Sequence, residues 1–169
     1  MATPDRHGDG ARVGALTLLL HIAWAEGRIA DGFGHIREAV RIASGGSIRT
    51  HATIPRLFLA AILQCMRQFE EAETVIRAAE EEIEATGHTV YAANVVFVHA
   101  YMLLSAGRLD DAAAEAEAGL KTASELDTHG FARLGDVVLA IVALPRGDLS
   151  AAVQHIERYH PQAEGNAIP

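Results

Sequence analysis

Cysteine, lysine and tryptophan each occur once in this sequence, and aromatic residues make up only 5% of it. The single thiol, Cys65, excludes an internal disulfide and a cysteine-rich zinc site, which fits a reducing compartment and makes the cytoplasm the expected location. With Lys121 as the one lysine and no basic stripe interleaved with aromatics, direct nucleic-acid binding is not expected. No apolar run approaches the roughly 20 residues needed to span a bilayer. The polar start MATPDRHGDG lacks a basic-then-apolar leader, so neither a membrane partner nor a secretory signal is expected.

What is present is aliphatic. Half of the 169 residues are hydrophobic, and they are mostly Ala, Val, Ile and Leu, a mixture that suits closely packed helices better than a sandwich or barrel. The formal charge of −8 is uneven. Residues 1–67 carry an excess of about +3, residues 68–130 about −10 and the remainder about −1, a dipole that could favour head-to-tail association or be no more than a solvated acidic face.

Aligned with itself, the chain repeats every 40 residues: EGRI ends at Ile29, MRQF at Phe69, AGRL at Leu109 and RGDL at Leu149. Two residues before each apolar anchor stands Gly27, Arg67, Gly107 or Gly147, where a tolerance of positive φ suits a helix that ends and reverses. Arg67 is the odd member, so its turn should be the most strained. Beyond the anchors, Gly32, Ala72, Ala112 and Ala152, then Ile36, Ile76, Ala116 and Ile156, then Ala39, Ala79, Gly119 and Tyr159 form one helical stripe. Before the anchors, Leu20, Ala60, Ala100 and Ala140 mark the closest crossing between paired helices. The pattern predicts helices at about 13–26, 30–44, 54–67, 69–86, 90–106, 110–126, 131–145 and 149–160. Residues 1–12 and 161–169 are expected to be loose, and SGGS at 44–47 to be a flexible connection. Thr53 and Pro55 mark a helix start, Asp110 and Asp148 are candidate caps, Pro145 should shorten or kink its helix and Pro161 should close the last one.

A glycine turn, an apolar anchor and small residues at fixed places on both helices resemble the tetratricopeptide repeat, over about residues 13–160. The resemblance implies an all-α, right-handed solenoid of about four helix-turn-helix units. HEAT-like repeats share the length, but the regular glycine turn weighs against them. The 40-residue period and stretches such as AWAEGRIADGFGHIREAVRIA are similar to the sensor regions of LuxR-type large ATP-binding transcription regulators. Such regulators carry a nucleotide-binding domain before the repeats and a helix-turn-helix domain after them, and neither a G-x-x-x-x-G-K-[ST] motif nor a basic terminal helix occurs here. The resemblance therefore implies a sensor segment or a free-standing relative.

In tetratricopeptide arrays the first helix of each pair lines a groove. Carried over by offset from the anchors, that face holds Thr17, Leu57, Phe97 and Val137, then His21, Ala61, Tyr101 and Ile141, then Trp24, Gln64, Leu104 and Leu144, then Ala25, Cys65, Ser105 and Pro145, with Asn94 one turn earlier. Thr17, His21, Trp24, Gln64, Asn94, Phe97, Tyr101 and Ser105 are the candidate groove residues, on a surface suited to an amphipathic helix of a protein partner or a small apolar effector. The alternative is that the same residues simply pack against a following helix or a symmetry mate. The basic clamp that grips a terminal carboxylate in chaperone-binding relatives is missing. At the far end Val153, Ile156 and Tyr159 form an end face that a homodimer or a longer chain would cover.

The chemistry of an enzyme is not legible. The nine histidines include no H-E-x-x-H, and His155 and His160, five apart, diverge by about 140° round a helix, which favours solvated surface histidines over metal ligands. His99 falls on a core-facing offset and reads as a hydrogen-bonded core residue. Cys65 reads as a buried small hydrophobe. GDGARVG at 8–14 follows no strand, and EEEIEA from Glu80 fans round a helix instead of pairing carboxylates. No metal, no cofactor and no catalytic residue is expected. A self-associating scaffold is the second reading, and an enzyme built on His99, Asn94 and Tyr101 the third.

Overall fold

The computed structural model describes residues 6–45 and 52–159, with the side chains of residues 6, 7, 129–131 and 159 left aside. Among the described residues every regular element is helical and no strand occurs. The chain divides into two compact units, Met1–His88 and Thr89–Pro169. The first contains α1 (Arg6–Ala25), α2 (Ile29–Gly45), α3 (Thr53–Cys65) and α4 (Phe69–Thr86). The second opens with a single 3₁₀ turn, Thr89–Tyr91, followed by α5 (Ala92–Ser105), α6 (Leu109–Glu125), α7 (His129–Ala143) and α8 (Leu149–Tyr159).

In each unit consecutive helices form hairpins: α1 packs on α2 and α3 on α4, and in the second unit α5 packs on α6 and α7 on α8. The second helix of each hairpin starts at Ile29, Phe69, Leu109 or Leu149, at 40-residue intervals. Gly27, Arg67, Gly107 and Gly147 all have positive φ, between 60° and 81°. Each reversal is closed by the same pair of backbone bonds. In the first, the Gly27 N–H donates to the Trp24 carbonyl at 3.0 Å and the Arg28 N–H to the Ala23 carbonyl at 2.7 Å, which satisfies carbonyls orphaned at the helix end. Arg67 holds φ +60°, a conformation that costs a residue with a Cβ about 1–2 kcal/mol, and its guanidinium lies 5.2 Å from the centre of the Phe69 ring. Asp127 (φ 53°) makes the same kind of reversal between α6 and α7, a turn that no glycine announces.

The small residues stand where helices meet. Gly32, Ala72, Ala112 and Ala152 are buried, as are Leu20, Ala60, Ala100 and Ala140 on the preceding helices. A Cβ on Gly32 would lie 3.1 Å from Leu20 Cδ1 and 3.6 Å from Ala23 Cβ, so α1 and α2 approach to near backbone contact there. In the second unit Ala100, Leu103, Ala112, Ala113 and Ala116 from α5 and α6 pack with Val138, Leu139 and Val142 from α7. A second cluster joins Ala93, Phe97 and Ala123.

Polar pairs tie the hairpins. In the first unit Glu82 accepts hydrogen bonds from Arg56 Nη1 and, at 3.2 Å, from the buried Thr53 hydroxyl, while Arg56 Nη2 donates to Ser44 Oγ at 3.1 Å. In the second, buried Asp136 lies 2.9 Å from His155 Nδ1 and 3.6 Å from Arg158 Nη1. On the surface Arg41 donates to Glu38 at 2.7 Å and Arg12 at 3.0 Å, and the Arg41 hydrogen bond holds that carboxyl below the ordinary glutamate range.

Several expectations are corrected by these coordinates. Helix α1 begins at Arg6, so most of the stretch expected to be loose before residue 13 is helical. Cys65 is exposed, because it ends α3 at the turn. His155 is not a solvated surface residue but a partner of buried Asp136. Asp148 caps α8, accepting the Ala151 N–H at 2.9 Å, whereas Asp110 is engaged by Arg146 and no side chain caps α6. α7 stops at Ala143, two residues short of the register at which α1, α3 and α5 end, as Pro145 demands. Ser44 and Gly45 of SGGS end α2 instead of forming a flexible connection, while residues 46 and 47, Pro161 and the tail 161–169 lie outside the described residues.

Candidate functional site

Of the eight groove candidates, four belong to the first unit. His21 and Trp24 are brought together with Leu20, Phe58, Ala61 and Ile62 around a cavity of about 170 Å³ between α1 and α3. Its walls are almost entirely apolar, and Trp24 remains 45% exposed at its edge. The His21 ring meets Phe58 edge to face, with centroids 4.8 Å apart and planes at 83°, an arrangement that suits the ring quadrupoles. His21 Nδ1 lies 2.7 Å from the Thr17 carbonyl oxygen, so that nitrogen is the donor, and in the neutral imidazole Nε2 is left as an acceptor. Thr17 itself donates its hydroxyl to the Val13 carbonyl at 2.9 Å and serves its own helix. Gln64 is buried and does not line the cavity.

The other four lie in the second unit. Tyr101 is exposed, and Asn94 and Ser105 are half-buried. Phe97 is fully buried in the core with Ala93 and Ala123, its ring seated against Gly119 and Gly135, so it cannot line an open groove. Leu57, at the same offset in the first unit, is buried too, and its neighbour Phe58 forms the wall instead. The sequence reasoning missed Phe58 by one position. No local signal in the sequence singles it out, because the face of α3 turned toward His21 is set by the crossing with α1.

His99 is half-buried, with Nδ1 3.0 Å from Glu115 Oε1, which ties α5 to α6. Among the described residues no group of three or more His, Cys, Asp or Glu is placed to hold a metal ion, and no helix is long and apolar enough to cross a membrane. At the far end Val153 and Ile156 are exposed on α8, bordering a groove of about 300 Å³ shared with Ile141, Leu144 and Leu149. The Tyr159 side chain lies outside the described residues.

No family model matches the chain. No curated protein matches it either. Among solved structures the chain is similar to the crystal structure of BtubC (BKLC) from P. vanneervenii, with a TM-score of 0.66 and 21% identity, over 92% of this chain and 68% of that one. At that identity the likeness is one of fold.

Proposed function

We propose that the chain is a non-enzymatic binding module of tetratricopeptide-like repeats, four helix hairpins stacked in a right-handed solenoid. The reversals in left-handed backbone at 27, 67, 107 and 147 support four copies of one unit. With the sequence resemblance, the reading extends to the sensor segment, or a free-standing relative, of a LuxR-type regulator working in the cytoplasm.

One observation carries the binding function. The cavity between α1 and α3 is apolar, open and edged by an exposed tryptophan, with one histidine whose tautomer is fixed by the Thr17 carbonyl. Apolar walls with a single oriented polar group suit the hydrophobic face of a partner helix or a small apolar effector carrying one hydrogen-bond donor. Trp24 is the sole tryptophan, so its emission reports directly on the cavity. Titration with aromatic small molecules and with amphipathic helical peptides should shift and saturate that emission. Ala61→Phe, which fills the cavity, should abolish the response, and His21→Ala should weaken it. A saturating response that survives Ala61→Phe would move the site elsewhere.

A further inference from the structure

Helix α1 and the α7–α8 hairpin carry complementary halves of a contact that the second unit makes internally. Within that unit Val138, Leu139 and Val142 of α7 cover Ala100, Leu103, Ala112, Ala113 and Ala116 of α5 and α6. Val138 is 0% and Val142 1% exposed there. Three periods earlier, the same register positions on α1 are Leu18, Leu19 and Ile22, and they face solvent, Leu18 at 67% and Ile22 at 50%.

The receiving half recurs at the other end. One period after the covered set stand Ala140, Ala143, Ala152, Val153 and Ile156 of α7 and α8. Val153 is 55% and Ile156 45% exposed, whereas their counterparts Ala113 and Ala116 lie under α7. The open groove on this face also takes in Leu144 and Leu149, whose counterparts Leu104 and Leu109 pack against the internal cluster. Among the described residues, an apolar knob set on α1 and an apolar seat on α7 and α8 are thus both left uncovered. The α1 stretch Val13–Ala25 carries no acidic or basic residue apart from His21, so nothing of like charge opposes Glu157 at the edge of the seat.

We propose that a second copy of the chain occupies each end, with Leu18, Leu19 and Ile22 of one copy's α1 seated on the Ala152, Val153 and Ile156 face of another copy's α7 and α8. The contact is heterologous, so every pair retains one free knob set and one free seat, and assembly continues into a ring or an open filament. It goes beyond the cavity between α1 and α3, since Ile22 does not line that cavity.

Sedimentation velocity and light scattering on the full chain test this. The wild type should grow with concentration beyond a dimer. Ile22→Glu and Val153→Glu should each be monomeric, with far-ultraviolet circular dichroism unchanged because both side chains are exposed. Mixed in equal amounts, the two variants should form a heterodimer and stop there, since one retains an intact seat and the other an intact α1. A wild type that stays monomeric at every concentration would overturn the proposal, as would homodimers that persist in either variant, the mark of a symmetric interface. Two monomeric variants that fail to pair on mixing would also overturn it. Loss of the Trp24 response without loss of assembly would refute only the ligand reading.

Discussion

Replacing Gly119 by alanine isolates the reason the helices of the second unit need glycine. Gly119 lies inside α6, where alanine is the better helix former by about 1 kcal/mol. Against that gain, a Cβ at this position would stand 2.5 Å from Phe97 Cε1, 2.7 Å from Phe97 Cδ1 and 3.1 Å from Val96 Cγ1. The ring is fully buried, and its same edge is seated against Gly135 of α7, where a Cβ would again lie 2.5 Å away. The ring therefore cannot withdraw without disturbing a second helix. Overpacking of this kind costs about 1–3 kcal/mol, and the blocked retreat places it in the upper half of that range. The net expectation is a loss of about 1–2 kcal/mol, or a midpoint lowered by about 2–4 °C for each kcal/mol in a chain of this size.

Thermal melts followed at 222 nm measure it, with Gly14→Ala as the control. Gly14 is also helical and exposed, and nothing lies within 4 Å of its added Cβ, so there the propensity gain of about 1 kcal/mol stands alone and the midpoint rises. The same chemical change should thus have opposite signs at two helical positions. Phe97→Leu, which clears the ring edge, should make Gly119→Ala less costly by about 1 kcal/mol than it is in the wild type. A Gly119→Ala protein as stable as the parent, or a double variant whose losses simply add, would refute the packing argument.

Arg67→Gly removes a Cβ from left-handed backbone and should stabilise the protein by about 1 kcal/mol in urea titrations, and a loss would show that the Arg67 stack on Phe69 outweighs the strain. Glu82→Ala strands the Arg56 guanidinium, whose side chain is only 16% exposed, and should cost about 3 kcal/mol, while a cost under about 1 kcal/mol would mean that Ser44 and water suffice. Glu38 has a lowered pKa in the folded state through its hydrogen bond from Arg41, so its stabilising contribution is complete above the unfolded-state pKa and is lost as pH falls through the folded one. A nuclear magnetic resonance titration of its side-chain carbon should give a midpoint below the ordinary glutamate value, and Arg41→Gln should bring it back up.

Much of the fold was legible because its determinants are local. A positive φ two residues before an apolar anchor needs no knowledge of the partner helix, and the glycines at 27, 107 and 147 announce it. Small residues at fixed offsets announce close crossings, since whatever packs there must come near the backbone. Legibility failed where a residue's fate depends on a neighbour from another period. Asp127 takes left-handed backbone without any glycine signal, and Phe97 sinks into a slot cut by Gly119 and Gly135, both remote in sequence. The groove offsets were one residue out at Phe58 for the same reason: which side of α3 faces α1 is set by the crossing, not by distance from the anchor.

Periodicity itself creates the deepest limit on reading such a chain. Within a repeat, an offset assigns a residue to a face, but burial of that face is decided by whether another hairpin follows. Leu19 and Leu139 share an offset and a residue type, yet Leu139 is buried under its neighbours and Leu19 is exposed, because among the described residues only Leu139 has a preceding hairpin packed against it. Ala116 and Ile156 differ in the same way at the opposite edge of the unit. Isoleucine is the ordinary residue at that offset, since Ile36 and Ile76 are both buried there, so the exposure of Ile156 reflects what packs on it among the described residues and not a change of residue type.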